Sequence, residues 1–261
     1  MKITEIVIDT PGGPLTCSLA APAGAPAAEP ALLLTFGMTG QSALTEEPHH
    51  LPAWIFTEAG HYALSFDLPN HGERIDAFGE GIGGMCAAFI AGHDPFARFV
   101  SDGRAVIDAH RQLGIPGNRH VVACGISRAA YCALCLAAAD RRILAVAGLA
   151  PVTDWRALNE FAAIKERPEI SALTLDNWAS NLAGRAVFLA IGNADGRVGS
   201  DCCTRLALRI LEEEARRGLA SSAVELHVVP AEGHSLSDEW RSAGGRFLLE
   251  TVSWTSKRSA A

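Results

Sequence analysis

The chain has 261 residues, of which 49% are hydrophobic, so it can bury a large core in one α/β domain without disulfides or a structural metal. Its formal net charge of -7 opposes binding to nucleic-acid phosphates, and we expect no nucleic-acid partner. No apolar run approaches the length that a bilayer-spanning helix needs, so we also expect no membrane partner.

The seven cysteines are an odd number, and several lie within apolar runs. Cys132 and Cys135 form a CxxC pair, a spacing found in redox and zinc sites. Their surroundings, AYCALCLAAAD, instead indicate a buried helix, where cysteine behaves as a small hydrophobic side chain. Free thiols suit a reducing compartment, and the N-terminal MKITEIVIDT alternates like a strand rather than resembling a signal peptide. We therefore expect a cytoplasmic location.

Strand-like and helical patterns alternate along the chain. Strand patterns occupy residues 3–9, 15–20, 31–35, 62–66, 120–124, 143–149, 186–191 and 224–229. Helical patterns occupy residues 52–58, 94–113, 128–139, 201–217 and 237–254. Continuous apolar runs such as ALLLT at 31–35 are typical of strands buried on both faces, and the alternation implies βαβ units. The sequence therefore predicts an α/β fold whose mostly parallel central sheet is flanked by helices.

Two segments interrupt this alternation. Residues 75–92 are rich in glycine and are predicted to be irregular, whereas residues 154–184 are helical in pattern but polar. Insertions at the carboxyl edge of such a sheet commonly form pockets and lids. We predict one domain over residues 1–261, with a short cap at about 154–184. Candidate substrate-pocket residues, for each of which plain packing is the alternative, are Trp155, Phe161, Trp178 and a loop at 81–85.

The sequence CGISRA at 124–129 has a predicted strand before it and a helix after it, and it is close to the G-x-S-x-G nucleophile elbow. A sharp strand-to-helix turn would present the Ser127 hydroxyl above the sheet edge, and Gly125 would leave room for that turn. The helix N-terminus would place a positive dipole beside the reacting oxygen. Ala129 stands where the motif has its second glycine, which weakens the match. We predict that Ser127 is a nucleophile; the alternative is a serine that only caps a buried helix.

A serine nucleophile needs a base within hydrogen-bond reach and a carboxylate that orients the base. His234 follows the last predicted strand and is the candidate base, because imidazole titrates near neutral pH. Asp195 follows the strand at 186–191 and is the candidate acid. Asp154, which follows the strand at 143–149, is its rival for that role.

Backbone N–H groups are the expected donors to the negatively charged oxygen that forms during acyl transfer. One is the N–H of Arg128, directly after the candidate nucleophile. The second should come from the loop FGMTG at 36–40, where we choose the N–H of Met38. An ordinary turn is the alternative explanation for the two glycines of this loop.

Several motifs, taken together with the elbow, resemble those of the α/β-hydrolase superfamily over nearly the whole chain. FGMTG at 36–40 resembles the H-G-x-x-G loop with Phe in place of His, and DLPNHGER at 67–74 resembles D-x-P-x-H-G-x-S/R. GNADGRV at 192–198 resembles the acid loop G-x-x-D-x-x-V, and GH at 233–234 the base loop. The chain is most similar to the esterase relatives of prolyl oligopeptidase and dienelactone hydrolase. The resemblance implies an α/β-hydrolase fold, a triad in the order Ser, Asp, His, and a structural part for His71.

These residues predict a serine hydrolase that cleaves small to medium carboxylic esters and binds no cofactor or metal. A serine peptidase, a lactone or thioester hydrolase, and a non-catalytic binding protein on the same fold remain alternatives, since a fold does not fix a reaction. A metal-dependent hydrolase is a weaker alternative, because its candidate ligands lack a metal-binding spacing. Those candidate ligands are His49, His50, His61 and His71. The expected partner is a small-molecule ester, and a homodimer is left open.

Overall fold

The computed structural model describes residues 1–109, 113–115, 120–219 and 223–259, with side chains described up to residue 255. Within this part of the chain, eight strands form one sheet in the order β1-β2-β4-β3-β5-β6-β7-β8. The strands are β1 (Lys2–Thr10), β2 (Gly13–Ala21), β3 (Leu32–Phe36), β4 (Tyr62–Phe66), β5 (Val121–Ile126), β6 (Ile143–Leu149), β7 (Ala186–Gly192) and β8 (Val224–Val229). From β4 through β8 the neighbouring strands are parallel, and β1 and β2 extend the sheet as an antiparallel edge.

Helices follow most of the parallel strands, as the alternating patterns predict. The α-helices are α1 (Ser42–Thr45), α2 (Leu51–Glu58), α3 (Gly81–Ile90), α4 (Pro95–Asp108), α5 (Arg128–Ala139), α6 (Pro168–Ser171), α7 (Ala179–Leu182), α8 (Ser200–Arg216) and α9 (Asp238–Ser259). Short 3-10 turns occupy Gly72–Arg74, Trp155–Ala157, Asn159–Phe161 and Leu175–Trp178. In the described residues, no helix combines the length and the apolar character needed to cross a bilayer.

The central strands are buried because helices pack on both faces of the sheet. On β6, a β-carbon at Gly148 would point towards Leu134 of α5, 3.2 Å away, whereas Ala147 and Leu149 face Gly244 of α9. Successive residues of a strand point to opposite faces, so α5 and α9 lie on opposite sides of β6. Every residue of β3 is buried, as the apolar run at 31–35 predicts for a strand covered on both faces.

The prediction of a mostly parallel sheet flanked by helices is confirmed, and each of the eight predicted strands is present. The helix predicted at 94–113 begins at Pro95, and its α-helical part ends at Asp108; residues 110–112 lie outside the described part of the chain. The remaining predicted helices correspond to α2, α5, α8 and α9.

The prediction that residues 75–92 are irregular is wrong for their second half, which forms α3. Glycines lower helix propensity by about 1 kcal/mol each, which hides this helix in the sequence. Burial compensates, because Met85 and Phe89 pack into the core. Gly84 is required for close approach, since a β-carbon there would lie 2.2 Å from the carbonyl oxygen of Gly79.

Candidate active site

The backbone at the end of β5 forms a sharp turn centred on Ser127. This residue has φ 58° and ψ -122°, a conformation that costs energy for any residue with a β-carbon. Neighbouring backbone holds it there: Ser127 N donates to Leu149 O at 2.8 Å, and Val152 N donates to Ser127 O at 3.2 Å. The turn therefore ends β5 and starts α5 at Arg128, with the Ser127 side chain at the carboxyl edge of the sheet.

The two small residues that flank Ser127 have different steric requirements. A β-carbon at Gly125 would lie only 2.3 Å from Ala129 O, so the turn has no room for a side chain at that position. Ala129 is buried in the first turn of α5, and its methyl group is accommodated without interrupting the helix. The departure from the second motif glycine therefore leaves the helix start intact.

A continuous chain of hydrogen bonds joins three side chains that are far apart in sequence. Ser127 Oγ lies 2.9 Å from His234 Nε2, and His234 Nδ1 lies 2.7 Å from Asp195 Oδ2. A carboxylate can only accept, so Nδ1 carries the proton and Nε2 is left to accept from the serine hydroxyl. General-base activation of a serine needs this arrangement.

The Asp195 carboxylate is fixed from both sides. Its side chain is fully buried, and its Oδ1 accepts from Arg197 N at 3.0 Å and from Val198 N at 3.2 Å. Ser200 Oγ accepts from Asp195 N at 3.1 Å and donates to Gly192 O at 2.5 Å, which closes the loop after β7. These bonds hold Oδ2 towards the imidazole.

Asp154, the rival acid, points elsewhere. Arg156 binds it through Nε at 2.9 Å and Nη2 at 2.6 Å, and Arg205 Nη2 lies 3.4 Å from the same carboxylate. Although burial alone raises the pKa of Asp154, the hydrogen bonds from Arg156 bring it below the usual value. The carboxylate that contacts His234 is that of Asp195.

The loop after β3 lies beside the turn at Ser127 because of the strand register. Phe36 of β3 pairs with Gly125 of β5, so Met38 and Ser127 each lie two residues beyond a paired position at the same sheet edge. Met38 O accepts from Leu68 N at 3.1 Å, which fixes that peptide. Within the described residues, neither Met38 N nor Arg128 N donates to a protein acceptor. Both donors are therefore available to a ligand oxygen.

Asp67 ties the loop after β3 to the loop after β4. Its Oδ1 accepts from Gly40 N at 2.7 Å, and its Oδ2 accepts from Glu73 N at 2.8 Å. Gly40 permits close packing, because a β-carbon there would lie 3.0 Å from the Cα of Phe66. Asp67 thus sets the position of the peptide that contains Met38. The sequence showed Asp67 only as the first residue of the DLPNHGER motif, which gave no indication that its carboxylate joins the two loops.

Two of the three aromatic residues predicted to line a substrate pocket are core residues. Trp155 and Phe161 are 0% exposed, and their rings pack together with centroids 5.1 Å apart. Trp155 also packs on Phe96 and Tyr131, at 4.7 and 5.2 Å. Both side chains are therefore enclosed in the core and present no surface to a ligand.

Trp178 does line a cavity, whose volume is about 740 Å³. Phe96, Tyr131 and Leu173 form part of the same apolar wall. Of the described residues that line it, none is Ser127, Asp195 or His234. The predicted loop at 81–85 is the first half of α3 rather than a loop.

Two of the four histidines considered as metal ligands, and the CxxC pair, are accounted for by hydrogen bonds or burial within the protein. His61 Nδ1 accepts from Ala31 N at 3.1 Å, and both ring nitrogens of His71 are engaged in hydrogen bonds. The CxxC pair is buried on α5, as the apolar surroundings predict. Burial raises the pKa of the Cys135 thiol to about 12 and that of Cys132 well above its usual value.

No protein-family model and no curated protein sequence matches the chain. Solved structures do match it. A cold-adapted esterase from an Arctic intertidal metagenomic library is 18% identical, with a TM-score of 0.68 over 95% of this chain and 92% of that one. TT1662 from Thermus thermophilus is 20% identical, with a TM-score of 0.68 over 96% and 98% of the two chains. An esterase of Pyrococcus furiosus is 17% identical, with a TM-score of 0.65 over 95% and 92%.

The chain has the α/β-hydrolase fold. In this fold the nucleophile elbow, the acid loop and the base loop meet at the carboxyl edge of the sheet, where Ser127, Asp195 and His234 lie in this chain. At 17–20% sequence identity, the similarity to these structures shows the fold and nothing more specific. What the site does is argued from its own residues.

One feature of this site was missed in the sequence, where Arg128 was assigned only its backbone N–H. Its side chain donates from Nε to His71 Nε2 at 3.2 Å. His71 in turn lies 2.8 Å from Pro69 O through Nδ1, and it is 5% exposed. The expected structural part of His71 is therefore to connect the loop after β4 to the start of α5. A basic residue directly after the candidate nucleophile was the available signal.

Proposed function

We propose that this chain is a serine esterase that cleaves carboxylic esters through an acyl-enzyme, with Ser127 as nucleophile, His234 as general base and Asp195 as the acid that orients it. The observation that carries the proposal is the hydrogen-bond chain from Ser127 Oγ through the imidazole to a buried carboxylate. The strained backbone at the serine adds support, because strain of this kind concentrates at functional sites. The esterases among the structural neighbours favour ester hydrolysis over other reactions of this fold.

In the proposed reaction, Ser127 Oγ attacks the ester carbonyl while its proton passes to His234 Nε2. The carbonyl oxygen becomes negatively charged and accepts hydrogen bonds from Met38 N–H and Arg128 N–H. His234 then gives its proton to the departing alkoxide, which leaves as an alcohol and gives an acyl-serine.

Water completes the cycle. His234 removes a proton from water as the water attacks the acyl carbonyl, and it returns that proton to Ser127 Oγ when the carboxylic acid leaves. Asp195 stabilises the imidazolium in both halves of the reaction. The His234 side chain is 27% exposed, so water can reach it.

Removal of the serine hydroxyl is the direct test. We expect the chain to release p-nitrophenol from p-nitrophenyl butyrate, and Ser127→Ala to lower kcat/KM by about a thousandfold or more, because nucleophile and base act as a unit. Ser253→Ala, an exposed position on α9, is the matched control and should retain activity. A fluorophosphonate probe should label the parent chain and the control but not Ser127→Ala.

Equal turnover by folded Ser127→Ala would refute the assignment of the nucleophile. If the parent chain neither turned over esters nor reacted with the probe, a binding protein on the same fold would replace the esterase proposal. Faster cleavage of amides than of matched esters would favour the peptidase alternative.

A further inference from the structure

Arg128 directly follows the proposed nucleophile in the chain, and its guanidinium contacts a neutral partner, the ring of His71. His71 Nδ1 faces Pro69 O, which can only accept, so the ring proton is on Nδ1. His71 Nε2 therefore has a free lone pair, and it accepts from Arg128 Nε. Burial, together with the nearby Arg128 cation, lowers the pKa of His71, which agrees with a neutral ring.

The contact with His71 uses only Nε, so the two terminal nitrogens of Arg128 are available to a ligand. Among the residues that the structure describes, no carboxylate forms an ion pair with this guanidinium. Arg128 is half-buried, and burial lowers its pKa, with Arg197 adding repulsion. A partly desolvated cation without a counter-ion is unfavourable, so the bound state should supply a negative charge.

The nearest charged residues pair with each other rather than with Arg128. Arg197 binds Glu160 through two terminal nitrogens, at 2.8 and 2.6 Å, which makes a two-point ion pair with no net charge. Glu160 attracts Arg128 only at longer range, so among the described residues Arg128 has no carboxylate within ion-pair distance. A single anionic group on the substrate would give its guanidinium a direct partner.

We propose that the Arg128 guanidinium binds a carboxylate carried by the substrate, so that the preferred substrates are esters with one negatively charged group near the ester bond. The inference rests on the proposed esterase function and narrows its substrate class. A carboxylate fits because its two oxygens match the two terminal N–H groups that the contact with His71 leaves free.

Matched pairs of esters that differ only in charge test this on the unaltered protein. The first pair is p-nitrophenyl hydrogen adipate and p-nitrophenyl methyl adipate, with the charge on the acyl side. The second is 4-acetoxybenzoate and its methyl ester, with the charge on the alcohol side. We expect kcat/KM to favour the charged ester at least about tenfold in one pair, and this preference to shrink as salt screens the charges.

Variants of Arg128 test whether this residue causes the preference for charged esters. Arg128 N–H is also proposed to bind the oxyanion, so the readout is the charged-to-neutral ratio of kcat/KM within each variant rather than the absolute rate. Arg128→Gln should bring the ratio close to one, and Arg128→Lys should retain part of the preference. Arg209→Gln, an exposed arginine on α8, is the matched control and should keep the full ratio.

The two proposals fail in different ways. If both neutral esters are hydrolysed through Ser127 and neither charged ester is preferred, the carboxylate inference is overturned and the esterase proposal stands. The inference is also overturned if Arg128→Gln keeps the parent ratio. If no ester is hydrolysed through Ser127, the esterase proposal itself fails. Should Arg128→Gln not fold, the parent ratio and its salt dependence still decide the matter.

Discussion

At the scale of single residues, Gly125 has the strictest steric requirement in the turn that presents Ser127. We expect Gly125→Ala to lower the free energy of unfolding by about 1–3 kcal/mol, because the new methyl group would meet Ala129 O at 2.3 Å and displace the first turn of α5. The same displacement would move Ser127 away from His234, so ester turnover should fall by more than the loss of folded protein explains. Chemical denaturation and p-nitrophenyl butyrate hydrolysis measure the two effects.

Gly24→Ala is the matched control for this substitution, since a β-carbon at Gly24 meets no atom within 4 Å. It should leave both stability and turnover close to those of the parent chain. A Gly125→Ala protein with parental stability and activity would show that the turn can relax, and the close contact with Ala129 O would then be unimportant.

The sequence predicted those site residues whose positions follow from the ends of strands. Ser127, Asp195 and His234 each follow a parallel strand, and parallel strands end at one edge, so their proximity was predictable. The Arg128 side chain was not, because its direction depends on His71, 57 positions earlier in the chain. A local motif carries no information about such a distant contact.

At the scale of elements, burial decided what could be predicted. Strands covered on both faces, such as β3, appear as apolar runs, and the edge strand β1 appears as an alternating pattern, so all eight were recognisable. The helix α3 was not recognisable, because its glycines oppose helix formation and its stability depends on packing of Met85 and Phe89. The polar segment at 154–184 was expected to be helical, and it forms single turns of α and 3-10 helix instead.

Asp154 is the central acceptor that connects this polar segment to α8. It binds Arg156 within its own turn and Arg205 on α8, which also binds Asp176 Oδ2 at 2.6 Å. We expect Asp154→Asn to lower the free energy of unfolding by about 1–2 kcal/mol near pH 7, since Asp154 is buried but its arginine partners are part-exposed. Chemical denaturation of both proteins measures the difference.

The pH dependence of that difference follows from the pKa of Asp154, which lies below its usual value in the folded chain. The unfolded chain then takes up the proton first as the pH falls, so the stabilisation is present above about pH 4 and is lost at lower pH. The difference in the free energy of unfolding between the parent chain and Asp154→Asn should therefore disappear at low pH.

Turnover at a permissive temperature separates Asp154 from Asp195. Asp154→Asn should still hydrolyse p-nitrophenyl butyrate, whereas Asp195→Asn should lose most of its kcat. Comparable losses of kcat in the two folded variants would return Asp154 to consideration as the orienting acid.

At the scale of the whole molecule, one buried histidine couples global stability to pH. His61 lies between the starts of β3 and β4, and it is 7% exposed. Its Nδ1 accepts from Ala31 N at 3.1 Å, so protonation at Nδ1 would break this bond and bury a charge. Burial, with a smaller contribution from His120, lowers the pKa of His61 below its usual 6.5.

The sign of the effect follows from proton binding. Between the folded pKa and about 6.5, the unfolded chain binds the proton and the folded chain does not, so stability increases with pH. The contribution of His61 is complete above about pH 6.5 and is lost as the pH falls towards its folded pKa. Burial lowers the pKa of His49 and His71 as well, so they act in the same direction.

We therefore expect the free energy of unfolding of the parent chain to fall between about pH 7.5 and pH 5, and His61→Gln to flatten part of that slope. The amide oxygen of glutamine can still accept from Ala31 N, but it cannot take up a proton in this range. His93→Gln, at an exposed position, controls for the loss of one histidine. Denaturant titrations at several pH values give both slopes. An unchanged slope in folded His61→Gln would show that protonation of this ring does not contribute, and the dependence would then have to come from His49 and His71, whose substitution is the next measurement.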